Sequence, residues 1–178
     1  LVADKTMTST ATFDALNRKV TDTNALGNTS SYRYDSPSNL TQSQDPMGNN
    51  TLHVIDGLNR IIETRQWLTQ DGTGFTPLDQ ANPLNTDGAL STFFAFDGNS
   101  RLIAQSDDTG NQTRYFYDAL NRNIKTIYAD DTQETNTFDA DDNVIQFTDQ
   151  AGSVFSQQFD ALNRVVSKSV VPAAGIVG

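Results

Sequence analysis

One string recurs along the chain and limits what it can become. Phe13-Asp14-Ala15-Leu16-Asn17-Arg18 returns as Ile55-Asp56-Gly57-Leu58-Asn59-Arg60, as Tyr117-Asp118-Ala119-Leu120-Asn121-Arg122 and as Phe159-Asp160-Ala161-Leu162-Asn163-Arg164. Weaker copies start at Tyr34-Asp35, Phe96-Asp97 and Phe138-Asp139. The starts at 13, 34, 55, 96, 117, 138 and 159 are 21 residues apart, save one gap of 41. That gap is one period plus 20 residues, so a loop is inserted at about 68–88 within an otherwise regular array spanning 1–178. A fixed period of this size marks a repeat architecture in which each unit leans on its neighbours.

The columns have physical meaning. The first position is aromatic in six copies and Ile55 in the seventh, and the second is Asp in all seven. Seven places on stand Val20, Thr41, Ile62, Ile103, Ile124, Ile145 and Val166; fourteen places on stand Gly27, Gly48, Gly110, Asp131 and Gly152. Aromatic and β-branched residues favour strands, while Asp, Asn and Gly favour turns. Each unit therefore holds two strands and two turns. One turn uses Asp and a left-handed Asn; the other is built on Asp-x-x-Gly-Asn, where Gly supplies the positive φ.

Seven units predict about fourteen strands in an all-β antiparallel meander. Sheets this wide rarely stay flat, so the expectation is a curled, spiralling sheet with an open strand edge at each end. Tyr115 and Tyr117 share one face and Arg114 and Phe116 the other; the outer face is expected to be largely polar. Propeller-like blades of two units each are the alternative, disfavoured because neighbouring units look equivalent. The chain begins and stops in mid-unit, which reads as an excerpt from a longer array.

Composition removes several functions. The net charge is −10, which argues against nucleic acid or an anionic membrane as partner. There is no Cys and one His, His53, so neither a thiolate nor a multi-histidine metal site is available. No apolar run approaches a membrane span. The N-terminus, Leu1-Val2-Ala3-Asp4-Lys5, shows no signal-peptide pattern.

The aromatic-Asp start followed by x-Leu-Asn-Arg and then Gly-Asn, at 21 residues, resembles the YD-repeat or RHS-repeat family from Phe13 to Val171, apart from the insertion. The resemblance implies β-hairpins wound into a hollow shell. In bacterial RHS proteins and toxin complexes that shell encloses a toxic effector; in teneurins it belongs to an adhesion module. It implies a non-enzymatic wall segment of a secreted or cell-surface, bacterial protein, with no cofactor. Its partners would be the remaining repeats, an encapsulated effector and other strand edges. The terminal self-cleavage motif of RHS toxins has no counterpart; Asp45-Pro46-Met47-Gly48 is an internal turn.

The candidate sites divide into architecture and recognition. Asp14, Asp35, Asp56, Asp97, Asp118, Asp139 and Asp160 are expected to cap turns, since catalysis needs two carboxylates in unlike environments. Asp139-Ala140-Asp141-Asp142-Asn143 mimics an EF-hand start but has Val144 where Gly belongs and Gln150 where Glu belongs. The arginines Arg18, Arg60, Arg122 and Arg164 are expected to pair with Asp of neighbouring units, or else to line up for an acidic glycan. Tyr32, His53, Phe94 and Tyr115 fill one column two places before each start, as cross-strand packing or as a row for sugar faces. Trp67, at the entrance to the insertion, and Phe75 within it are the other candidate contacts for a polysaccharide, the alternative function. Four Asn-x-Ser/Thr sequences, at Asn28, Asn39, Asn49 and Asn111, follow from the repeat itself.

Overall fold

The computed structural model describes residues 7–67 and 89–174; the expected insertion at 68–88, with Phe75, lies outside the described residues. The chain divides into two compact units, Leu1–Phe94 with Asp107–Gly110, and Ala95–Ser106 with Asn111–Gly178. Its strands are β1 Thr10–Phe13, β2 Lys19–Thr23, β3 Thr29–Tyr34, β4 Leu40–Gln44, β5 Asn50–Ile55, β6 Ile61–Trp67 and β7 Leu90–Phe96. They continue as β8 Leu102–Asp107, β9 Gln112–Tyr117, β10 Asn123–Ile127, β11 Gln133–Phe138, β12 Val144–Thr148, β13 Val154–Phe159 and β14 Val165–Val171. All fourteen form one antiparallel sheet in chain order, each hydrogen-bonded to the next. That meander excludes four-stranded blades and bears out the array of hairpins.

Among the described residues the hairpin turns close on one scheme. The first turn residue's N–H donates to the carbonyl of the fifth, and the fourth residue's N–H donates to the carbonyl of the first. At Asp14–Arg18 these bonds are 2.9 and 3.0 Å; at Asn24–Asn28 both are 2.9 Å. Such three-residue loops put the fourth residue in the left-handed region. The turns that follow each repeat start, termed A, fill it with Asn17, Ser38, Asn59, Ser100, Asn121, Asp142 and Asn163, at φ of 58–76°. The alternate turns, termed B, use Gly27, Gly48, Gly110 and Gly152 at φ of 86–90°, with Asp131 at 63° the exception. Asn and Asp are the non-glycine residues that tolerate this region best.

The two hairpin types differ in their ladders. In the A hairpins whose register is defined, one residue is skipped beside the turn: Tyr117 faces Asn123 but Phe116 faces Lys125, passing over Ile124. The same step passes over Val20, Thr41, Ile62, Ile145 and Val166. The β-branched column of the repeat is thus the bulge residue of each unit. The B pairings run without a shift. A bulge bends its strand and sharpens the local right-handed twist, so each of these six repeats carries one bend at the same place.

A single-layer sheet has no interior. Among the described residues, Ala89 is the one apolar residue that is buried, and no large side chain is fully enclosed. Strand side chains are instead half-covered by their cross-strand neighbours. On β9, Thr113, Tyr115 and Tyr117 are half-buried while Arg114 and Phe116 are exposed, an alternation of period two. The expectation of a polar outer face holds only in part. Phe93 on β7 and Phe116 on β9 sit on the more exposed side, 41% and 42% accessible.

Candidate functional site

The column aspartates sit where the sequence places them, at the first position of each A turn. Asp118 Oδ1 accepts the N–H of Leu120 at 2.9 Å and of Arg122 at 3.0 Å, while Oδ2 accepts Arg122 Nε at 2.7 Å. Asp14, Asp56, Asp97 and Asp160 repeat the pattern. In two turns Asn39 and Asn143 replace the arginine and give Nδ2 to Asp35 and Asp139, both at 2.9 Å. Asp35 receives no bond from the residue two places on, because that residue is Pro37, which has no N–H.

These bonds stabilise the ionised form, so the carboxyls of Asp14, Asp56, Asp97, Asp118, Asp139 and Asp160 lie below the usual range. For Asp14 and Asp97 the largest cause is the backbone N–H of Arg18 or Arg101. For Asp56 and Asp160 it is the arginine side chain, and for Asp139 the amide of Asn143. Groups held this way are poor proton donors at neutral pH, and each carboxylate already has its lone pairs engaged. The EF-hand-like stretch is an ordinary A turn: Asp139 caps it, and Asp142 takes the left-handed position and accepts Arg122 Nη1 at 2.8 Å.

The arginines carry the unexpected geometry. The expected pairing with a neighbouring unit's aspartate is found at Arg122–Asp142, at 2.8 Å; elsewhere it is corrected, since the ion pairs of these arginines close within their own turns, four residues apart. What crosses to the next unit is the other end of the guanidinium. Arg18 Nη1 donates to the backbone carbonyl of Asp35 at 2.7 Å, Arg101 Nη1 to that of Asp118 at 3.0 Å, and Arg122 Nη1 to that of Asp139 at 2.9 Å. The same guanidiniums lie over the first-position ring of the next unit: Arg18 over Tyr34 at 4.9 Å, Arg101 over Tyr117 at 5.0 Å, Arg122 over Phe138 at 4.6 Å. The ring hydroxyls return bonds to the preceding unit, Tyr34 Oη to the Lys19 carbonyl and Tyr117 Oη to that of Leu102. Where Asn replaces Arg, the relay is lighter: Asn39 Nδ2 reaches Asn59 Oδ1 and Asn143 Nδ2 reaches Asn163 Oδ1, both at 2.9 Å. The arginines of this relay are about four-fifths covered, which does not make an open stripe for an acidic glycan.

The planar fork of Arg explains why one residue type does all three jobs: ion pair, carbonyl donor and ring cover. The signal was present in the sequence as two columns, Arg at the sixth position and an aromatic one period after the start, but their contact crosses units and needs the register to be seen.

Of the candidate recognition residues, Tyr32 and His53 share one face of the first unit through the chain of pairs Tyr32–Ser43, Ser43–Thr51 and His53–Thr64. Phe94 joins them through Thr64–Thr92. They stand on every second strand, roughly 10 Å apart, so a strand intervenes between rings. Lys19 Nζ covers the Tyr32 ring at 5.3 Å, and His53 Nδ1 lies 3.1 Å from Thr64 Oγ1. Trp67 pairs with Asn50 and lies on the opposite face from His53. Tyr115 occupies the corresponding place in the second unit, opposite Thr126. The sequence did not disclose a neighbouring group on β10–β11, where Tyr128 Oη donates to Glu134 Oε2 at 2.8 Å.

The model of a family described as the Teneurin YD-shell matches residues 1–168. No curated protein matches the chain. Among solved structures, the crystal structure of TcdB2-TccC3-TEV aligns with 93% of this chain at 15% identity and a TM-score of 0.54. TcdB2-TccC3-Cdc42 aligns with 91% at 14% identity and 0.54. The Photorhabdus luminescens Tc holotoxin pore with a TccC3 mutation aligns with 92% at 16% and 0.54. In each case this chain spans 10% of the length of the matched chain. At these identities the likeness is one of fold.

Proposed function

We propose, from the fact that the chain belongs to the Teneurin YD-shell family, that it works as a stretch of wall in a shell built by a much longer array. The observation that carries this reading is the relay along the A turns. At Arg18, Arg101 and Arg122 it fastens one unit to the next with backbone carbonyls as acceptors, and at Asn39 and Asn143 with the amide of the next unit's Asn, so the unit recognises another unit of its own kind rather than a foreign ligand. In each A hairpin whose register is defined, one bulge beside the turn supplies a bend that recurs with the period. A one-layer sheet without its own interior is suited to enclosing space, and the column carboxylates are used to cap turns.

Its direct partners are then the preceding and following repeats, and the cargo an effector inside the completed shell, in a secreted or cell-surface bacterial protein. The role is non-enzymatic. Electron microscopy of the parent protein tests this. A hollow shell with residues 7–174 in its wall is expected; a solid body, or a free-standing domain on a linker, overturns the reading.

A further inference from the structure

The relay leaves two loose ends, and they are complementary. Among the described residues β1 and β14 are the outer strands of the sheet, each with one neighbour. Every residue of both strands is exposed, which is true of no other described strand. β14 follows a donor that lacks an acceptor. Arg164 holds Asp160 in its own turn, but its Nη1, the atom that reaches the next unit from Arg18, Arg101 and Arg122, bonds to nothing. Its side chain is 72% exposed, against 21–24% for Arg18, Arg60, Arg101 and Arg122.

β1 ends in acceptors that lack a donor. Phe13 is 56% exposed with no cation over it, whereas its counterparts Tyr34, Tyr117 and Phe138 are half-buried under an arginine. The Asp14 carbonyl accepts the Asn17 N–H alone, where that of Asp35 accepts the Ser38 N–H and also Arg18 Nη1. Asn17 Oδ1 has no donor, where Asn121 Oδ1 accepts Arg101 Nη1 at 3.1 Å.

The ladders match as well. In each B pairing the residue eight past a start faces the residue three before the next start: Thr21–Ser31, Gln42–Leu52, Ala104–Arg114, Lys125–Thr135 and Gln146–Ser156. The same rule sets Ser167 of β14 opposite Thr10 of β1.

We propose that the β14 edge of one copy of this chain takes the β1 edge of a second copy, head to tail, in the register of a B pairing. Arg164 then donates Nη1 to the carbonyl of the second copy's Asp14 and to its Asn17 Oδ1, and covers its Phe13 ring. Unpaired strand edges template such addition, and the relay gives it direction. The unlike ends carry the complement. A β14–β14 pairing centred on Lys168 would instead oppose two lysines. The contact is heterologous, so each copy offers one donor end and one acceptor end. This joint rests on the unit-to-unit relay of the wall reading. A monomeric chain would remove the joint and leave the shell of the parent protein to be judged by electron microscopy.

Sedimentation velocity of the 178-residue chain tests association, and its mass should rise with concentration between about 1 μM and 1 mM. The chain has no Cys, so introduced ones report the register. Thr10→Cys and Ser167→Cys chains, mixed under mild oxidation, should cross-link to each other and neither to itself. Opposed Cα atoms at about 4.5–5.5 Å suit a disulfide. Arg164→Lys should weaken association about tenfold, since an ammonium cannot clamp Asp160 and reach the second copy together. Phe13→Ser should do the same, and Arg114→Lys, an exposed arginine on β9, should not. A mixture of Phe13→Ser and Arg164→Lys keeps one sound end of each kind and should stop at a dimer. A chain that stays monomeric throughout overturns the proposal. So do cross-links between like variants, or association that Arg164→Lys leaves unchanged.

Discussion

The two turns of each repeat have the same hydrogen-bond skeleton and different uses. The B turn closes on itself. At Asn24–Asn28 the side chain of Asn24 accepts from Leu26 and Asn28, and Gly27 takes the left-handed position. The A turn adds three things: a side chain in the left-handed position, a bulge in the following strand, and an Asp–Arg clamp whose far end holds the next unit. Local closure needs only a short polar cap and a residue free to take positive φ. Assembly of one hairpin on another needs a longer side chain, and that side chain is Arg.

The bulge gives the largest expected effect. Deleting Ile145 removes the residue passed over between Phe138–Val144 and Thr137–Gln146. Every residue from Gln146 onward must then change face, or β12 must slip along β11. The expected loss is several kcal/mol, with β12–β14 opening first. Hydrogen exchange checks this; retained protection at Phe147 and Phe155 would mean that the bulge is dispensable.

The relay comes next. Arg101→Ala removes the clamp on Asp97, the bond to the Asp118 carbonyl, the bond to Asn121 and the cover over Tyr117. A loss of about 2 kcal/mol is expected in urea unfolding. Arg101→Lys should recover less than half, since an ammonium cannot make the two-ended contact. Full recovery by Lys would reduce the relay to simple charge.

Acid separates the turns in another way. The carboxyls of Asp14, Asp56, Asp97, Asp118, Asp139 and Asp160 are lowered in the folded chain. Protons therefore bind the unfolded chain first, near its ordinary value of about 3.9. The stability these groups contribute is present above that pH and is lost as pH falls through it towards the folded values. Urea midpoints should drop steeply below about pH 4, and Asp118→Asn should make that slope shallower. An unchanged slope would place the acid sensitivity elsewhere.

The fold was legible because the period is strict. Two turn signals and two strand signals in 21 residues admit few arrangements, and Asn17, Asn59, Asn121 and Asn163 announced their left-handed position. The bulge was visible as a column, Val20 to Val166, but not as a bulge: β-branched residues suit any strand, and only the pairing register distinguishes a skipped residue from a paired one. The Asp–Arg clamp was half legible. Its local half spans four residues and can be read along the chain; its distant half spans seventeen and ends on a carbonyl, which has no sequence signature.

Smaller effects sharpen the comparison at the left-handed position. Gly110 has φ of +90°, and a Cβ there would meet nothing within 4 Å. Gly110→Ala should therefore cost about 1 kcal/mol through backbone strain alone. Asn121→Gly relieves the same strain in an A turn but forfeits the bond from Arg101 Nη1, so the two effects should nearly cancel. The third turn residue should matter least. Leu120 projects from its turn 65% exposed, as do Leu16, Leu58 and Leu162 at 64%, 66% and 72%. Leu120→Ser should shift stability by less than about 0.5 kcal/mol, because neither clamp nor ladder uses the side chain. Thermal unfolding measures it. A loss as large as that of Arg101→Ala would mean that the leucine tips are covered in solution, and that the A edge makes contacts beyond the next hairpin.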